Sequence, residues 1–421
     1  MRRQRTARVV VVGAGPAGLA TALALGQAEP DLAITVLRAA PERVRRPTET
    51  LPPTLEPLLR QLGVWEAFRT DSHRPSYGSS AAWGEASSRD NDFVFHPYAR
   101  GWHVDRLRFD RTLLDRAVRQ GVEVVEAPLA GPPARLDRGG WSLPCVSDAS
   151  GPFAIEADWV VDASGRSAIV ARRLGARFVR TDRLVAVARS FAFPGTTASH
   201  EGDADHRSFV EATESGWWSV GWAPDGTAWV AFMTDDDLAK ARTLRDPAVW
   251  DRLLRETRHV QDRLAGREPR DNPVVQAAHS GFLNPVAGDR WLAVGDAASC
   301  LDPLSSMGVF KALRSGIFAS FALRNAFAGD DAGMARYVAL HRAEYARYLE
   351  GRERFYAEEG RWPRSEFWRR RRPTAESPEP PSMRSLASPM DSSWPSGTAS
   401  GSRRTEADEA DHPTEPALEM A

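Results

Sequence analysis

The stretch "RVVVVGAGPAGLATALALGQ", Arg8 to Gln27, decides the fold. Four consecutive valines, Val9 to Val12, read as a buried strand. A glycine-rich turn follows, then an alanine- and leucine-rich helix. Gly13, Gly15 and Gly18 form G-x-G-x-x-G, with Ala14, Pro16 and Ala17 between them. In this pattern Gly13 permits the turn, Gly15 lets the backbone approach a pyrophosphate, and Gly18 lets the helix pack closely on the strand. The helix N-terminus offers N–H groups and the positive end of its dipole to the phosphates. A second strand, "LAITVL" (32–37), follows at the distance such a unit requires. The expectation is an α/β chain with a dinucleotide on Gly13–Gly18.

The end of the second strand departs from the pattern. A ribose-binding carboxylate is expected about 20 residues beyond the last glycine, and Arg38 stands there. An arginine is compatible with a 2′-phosphate and NADP, with stacking on an adenine, or with plain exposure to solvent, which is the simplest. Arg38 is kept as a candidate cofactor contact.

An NAD enzyme would continue with alternating strands and helices. Residues 39–102 are instead irregular and rich in Pro, Ser, Trp and Arg. Parallel-sheet material returns with the helix "RFDRTLLDRAVRQG" (108–121) and the strands "VEVVEA" and "ADWVVDASGR" (157–166). It ends with "WLAVGDAASCLDPLSSMG", Trp291 to Gly308. An interrupted nucleotide domain completed by a late Gly-Asp loop is the layout of FAD-binding folds of the glutathione-reductase and hydroxylase type. FAD is long, so a second segment must hold its ribityl and flavin end. Asp296, at a strand's end, can accept a hydrogen bond from a ribityl hydroxyl. Gly308, opening a helix, offers N–H groups and dipole to the flavin's pyrimidine side.

Composition limits the rest. The chain has 421 residues, 42% hydrophobic, with a formal net charge of -1, so no global field favours nucleic acid or an anionic membrane. Cys145 and Cys300 make neither a disulfide framework nor a metal-ligand spacing, and a cytoplasmic location without metal is expected. The apolar run Val9–Val12 is too short for a signal peptide, and no run reaches membrane-span length. Only two lysines occur, Lys240 and Lys311.

Residues 184–234 carry β patterning and a "PDGT" turn (224–227), an antiparallel sheet expected to lie over the flavin. Trp217, Trp218, Trp222 and Trp229 along it suit core packing first and an aromatic pocket second. Residues 235–268 and 329–359 read as helical, and the arginines at 369–372 as a solvated helix end. The expected boundaries are a discontinuous FAD-binding domain (1–75, 104–176 and 280–325), a substrate domain (76–103 and 177–279) and a C-terminal helical region (326–372). A tail, 373–421, is expected to be disordered.

In order, the motifs "GAGPAG", "TETLPPTLEPLLRQLGVWEAF", "GWHVDRLRFDRTLLDRA", "WVVDASGR", "WLAVGDAASCLDPLSSMGVFKALRSG" and "RWPRSEFWRRR" occur. Together they resemble FAD-dependent monooxygenases related to the tryptophan halogenases, most of all the branch that hydroxylates a tryptophan residue of a partner protein during quinone-cofactor maturation. The resemblance implies that Glu49, Thr50 and Arg106, and Pro303, Met307, Gly308 and Val309, join the cofactor site. It implies oxygen transfer from a flavin hydroperoxide to an electron-rich aromatic ring, in a peptide or protein partner, with electrons from a separate flavin reductase or NAD(P)H.

Halogenases carry a lysine just before the segment matching "YGSSAAW" (77–83); here Ser76 stands there. They read D-P-L-E-S-T-G where this chain has Asp302 to Gly308, so Ser305 replaces the catalytic glutamate and Met307 the threonine beside the halide. Their W-x-W-x-I-P signature is absent, "WWSVGWAP" (217–224) being nearest. No catalytic residue is assigned; His103 and His279 are candidate bases, each more simply a packed histidine. Competing readings are a monooxygenase of a small natural-product aromatic, a halogenase, a double-bond reductase, and a non-catalytic FAD-binding maturation chaperone.

Overall fold

The computed structural model describes residues 7–39, 48–147, 151–194 and 207–372. The valine strand Arg8–Val12 lies inside a six-stranded sheet. The order is Ala287–Gly288, Trp291–Ala293, Trp159–Asp162, Arg8–Val12, Ala33–Arg38, Glu123–Glu126. All pairs are parallel except the first. Val9 and Val11 enter one core, with the helices Pro16–Ala28 and Gly308–Phe327, while Val10 and Val12 enter another. Both faces are covered, which is why the strand has no polar alternation. Register aligns Val12 with Asp162 and Asp162 with Ala293. The turns after these three strands therefore emerge side by side at the sheet's carboxyl edge, where open α/β sheets bind ligands.

A second sheet of eight strands is ordered Glu268–Pro269, Leu184–Ala192, Ala228–Asp235, Gly216–Trp222, Ser208–Thr213, Gly78–Ala82, Arg89–Asp92, with Val274–Ala277 also on Leu184–Ala192. It is antiparallel except that Ser208–Thr213 runs parallel to Gly78–Ala82, a strand supplied by the early insertion. Trp217, Trp218 and Trp222 are fully buried in it, so they are packing residues. A small sheet, Glu49–Leu51, Gly101–Val104 and Arg74–Ser76, carries Glu49, Thr50 and Ser76.

The helical stretch after residue 235 is three short helices, Asp236–Ala241, Pro247–Leu254 and His259–Arg263. Pro247 starts the second, and the Asp246 carboxylate caps it by accepting from the Ala248 N–H. The long helix Ala332–Glu358 looks polar but buries Tyr337, His341, Tyr345, Tyr348 and Tyr356. Their spacing of three, four and eight residues puts them on one face. The arginines at 369–372 are not simply a solvated helix end: Arg371 pairs with Asp235 at 2.6 Å, and Arg370 with Asp235 and Asp237 at 2.9 Å each. The expected tail lies outside the described residues. No helix among the described residues is long and apolar enough to cross a membrane.

Candidate flavin site

The first turn separates its glycines by physical role. Gly13 has φ +121°, and an added Cβ would stand 2.2 Å from the Ala163 carbonyl oxygen. At Gly18 a Cβ would stand 2.1 Å from the Gly13 carbonyl oxygen. At Gly15 it would meet nothing within 4 Å. Gly13 and Gly18 are thus demanded by the protein's own backbone, and Gly15 leaves an open approach. The helix Pro16–Ala28 starts beside it with no side-chain cap, so its first N–H groups are available to phosphates. Ala14 is half-buried and Ala17 buried.

The second turn is held by Asp162, which is fully buried. It accepts from the Ser164 N–H (3.1 Å), the Ser164 hydroxyl (2.6 Å) and the Ala171 N–H (2.8 Å). Burial pushes this carboxyl's pKa up against those bonds, so its part is to shape the turn. Arg166 extends from the turn, donating to the His279 carbonyl oxygen at 2.7 Å and lying 3.7 Å from Asp296.

The third turn carries Asp296. Lys311, one turn inside the helix Gly308–Phe327, donates to it at 3.0 Å and also to the Ser299 carbonyl oxygen. Burial alone would raise this carboxyl's pKa, but Lys311 and Arg166 outweigh it and hold the group below the usual range. Asp296 is therefore an ionised acceptor, and its side chain remains 36% exposed. Sequence reasoning missed Lys311. The signal available was its rarity, one of two lysines in the chain, placed just after the Gly308 turn.

Glu49 and Arg106 face this group. Arg106 bonds Glu49 at 3.1 Å and Asp110 at 2.9 Å. Burial, reinforced by nearby Asp296, pushes the Glu49 carboxyl up while Arg106 opposes. Thr50 shares a hydrogen bond of 3.0 Å with His103 Nδ1. His103 is fully buried, as a packed histidine would be. His279 is nearly so, and burial lowers its pKa before Arg166 adds to the effect.

In the loop 302–308, Pro303 begins a single helical turn and Ser306 takes a left-handed conformation with φ +50°. The Ser305 hydroxyl donates to the Asp302 carbonyl oxygen at 2.8 Å. Met307 occupies the cap position before Gly308, and no side chain caps this helix either. A Cβ at Gly308 would meet nothing within 4 Å, and Val309 is buried. The Gly308 and Pro16 helices touch through backbone: a Cβ at Gly316 would stand 2.5 Å from the Ala17 carbonyl oxygen. The Ser315 hydroxyl accepts from the Gly295 N–H at 2.8 Å. Arg38 lies at the end of its strand, 3.5 Å from Glu126 on the neighbouring one.

Two uncapped helix N-termini, two glycines with open faces and an ionised acceptor beside one of them suit a cofactor with an anionic end and a polyol. Known proteins agree. The profile of the FAD binding domain family matches residues 6–343. The chain is 29% identical over 368 residues to a putative FAD-dependent oxidoreductase, LodB, of Marinomonas mediterranea, covering 86% of this chain and 96% of that one. It resembles the structure of the flavin-dependent halogenase CmlS with a TM-score of 0.77 at 27% identity, covering 88% of this chain and 68% of that one. It resembles the peptidyl tryptophan dihydroxylase QhpG, described as essential for tryptophylquinone cofactor biogenesis, with a TM-score of 0.65 at 26% identity, covering 87% and 79%.

Proposed function

The chain belongs to the FAD binding domain family as a halogenase-related, FAD-dependent monooxygenase, and on that premise we propose that it hydroxylates an aromatic ring, the indole of a tryptophan residue in a peptide or protein. In this proposal Gly13 to Gly18 hold the ADP end of FAD. Asp296 takes the ribityl chain, and Met307 to Val309, with Pro303, flank the flavin. Glu49, Thr50 and Arg106 close the side next to Asp296.

The observation that carries hydroxylation over halogenation is what became of the halogenation residues. Ser76, at the lysine position, is buried and donates to the Gly78 carbonyl oxygen at 3.3 Å. Ser305, at the glutamate position, is spent on its own loop. Lys311 is tied to Asp296 and Ser299, so its amine is committed to the Gly295–Ser299 turn. Bound FAD supplies an electrophilic oxygen atom derived from O2: one atom enters a ring C–H bond, the other leaves as water, and two electrons come from the reduced flavin. The protein's part is to orient the ring and exclude water. A macromolecular substrate is supported by Tyr77, Val94 and Phe95, which are 62%, 66% and 91% exposed on the segment leading into Gly101–Val104. The likeness to QhpG supports the same choice.

The test supplies FAD, NADH, a flavin reductase, oxygen and bromide to the protein with tryptophan-containing peptides and with free aromatics. One added oxygen atom on a peptide tryptophan, unchanged by bromide, is the expected product. A brominated product would establish a halogenase, and oxygen on free aromatics alone a small-molecule monooxygenase. A flavin that never consumes oxygen when reduced would establish a chaperone. Turnover without the reductase would place NAD(P)H oxidation in this chain.

A further inference from the structure

Behind the loop 302–308 lies a polar cluster that the chemistry above does not use. Asp302 is 1% exposed. Its Oδ2 accepts from the Tyr356 hydroxyl at 2.8 Å and lies 3.4 Å from Arg352 Nε. Its own N–H donates to the Tyr348 hydroxyl at 2.7 Å. Tyr348, Arg352 and Tyr356 stand four residues apart on the helix Ala332–Glu358, so one face carries all three.

Each of the three also reaches the region of the eight-stranded sheet. The Trp217 Nε1–H donates to the Tyr356 hydroxyl at 3.0 Å. Arg352 pairs with Asp182 at 3.1 Å, and Asp182 accepts from the Leu184 N–H, where the chain enters that sheet, at 3.0 Å. Tyr348 shares a hydrogen bond of 2.7 Å with Ser280, where the chain returns from it, and Asp182 accepts from the Ser280 N–H at 3.1 Å. One helix face therefore ties two crossings and the sheet itself to a single buried carboxylate at the root of the loop. A buried polar cluster whose members are bonded to one another holds one geometry, because any displacement leaves a group unpaired.

We propose that Tyr356, with Arg352 and Tyr348, is a positioning residue that fixes the Asp302–Gly308 loop against the eight-stranded sheet, so that the flavin and the aromatic substrate meet in one register. This rests on the loop being the flavin site, as proposed above.

Tyr356→Phe deletes one oxygen and keeps the ring that packs on Trp83, Phe367 and Trp368. In full-length protein titrated with FAD, it is expected to raise the FAD Kd about threefold to tenfold. It should also change the visible circular dichroism of the bound flavin while the far-ultraviolet spectrum of the apoprotein stays the same. Added to Asp302→Asn, it should move neither flavin readout further. Arg371→Gln is the control: Arg371 lies 5.3 Å from the same tyrosine ring but bonds Asp235. It should lower the thermal midpoint without altering the flavin readouts. Flavin readouts within about twofold of wild type in Tyr356→Phe, or moving equally in Arg371→Gln, overturn the proposal. Gly308→Val, in the loop itself and at a position where an added Cβ meets nothing within 4 Å, checks the premise separately. If it leaves FAD binding untouched, the loop is not the flavin site and the positioning role falls with it.

Discussion

At Gly15 an added methyl group would meet nothing within 4 Å, whereas at Gly13 it would stand 2.2 Å from the Ala163 carbonyl oxygen. Gly15 has φ −84° and ψ 179°, which any residue adopts. Gly15→Ala should therefore fold with stability within about 1 kcal/mol of wild type while its FAD Kd rises at least about tenfold. Gly13→Ala should lose about 3 kcal/mol or more whether or not FAD is present. Urea denaturation with a parallel FAD titration distinguishes the two, and equal destabilisation would refute the separation of roles. This part of the site is legible in the sequence because a tight turn is local: spacing and identity suffice. The Lys311–Asp296 bond is not, because two residues 15 apart meet only through the path of the intervening loop.

The helix Ala332–Glu358 shows the same limit at the next scale. Its period and length can be read from residues, yet what its tyrosine face meets, Asp302 and Trp217, lies in distant segments. His341 on that face is 3% exposed, and burial, with Lys311 and Arg314 nearby, pushes its pKa down to about 3. An unfolded histidine takes a proton near pH 6.5, so between that pH and about 3 the unfolded chain binds more protons and folding loses stability as pH falls. From pH 6.5 to pH 5 this group alone should remove up to about 2 kcal/mol. Denaturation of wild type and His341→Leu at both pH values should show that difference vanish in the variant; parallel losses would contradict it. The clasp of Arg370 and Arg371 on Asp235 and Asp237 was equally invisible from the run of four arginines. Arg371→Gln should cost about 3 kcal/mol in a urea midpoint series, because it leaves a buried carboxylate short of a partner.

The molecule as a whole assembles its site from turns that follow three adjacent strands, Arg8–Val12, Trp159–Asp162 and Trp291–Ala293. No local pattern gives that adjacency. It follows from the rule that parallel strands gather their ligands at their carboxyl ends, which is why Asp296 could be tied to the first turn across the whole chain. The parallel pairing of Gly78–Ala82 with Ser208–Thr213 escaped, since nothing in either strand names its neighbour. FAD that binds only the folded protein should stabilise it by about 2.7 kcal/mol at a hundred times its Kd. Thermal melts should show that shift in wild type and about half of it or less in Gly15→Ala at the same FAD concentration.

The backbone contact at Gly316, 2.5 Å from the Ala17 carbonyl oxygen for an added Cβ, makes the two helices that begin at Pro16 and Gly308 into the fixed jaws of a caliper. A caliper that cannot be reset measures length. In the FAD placement proposed above, FMN, lacking the adenylate, would span only one jaw, so a pairing of helices that cannot spread or close favours the longer flavin.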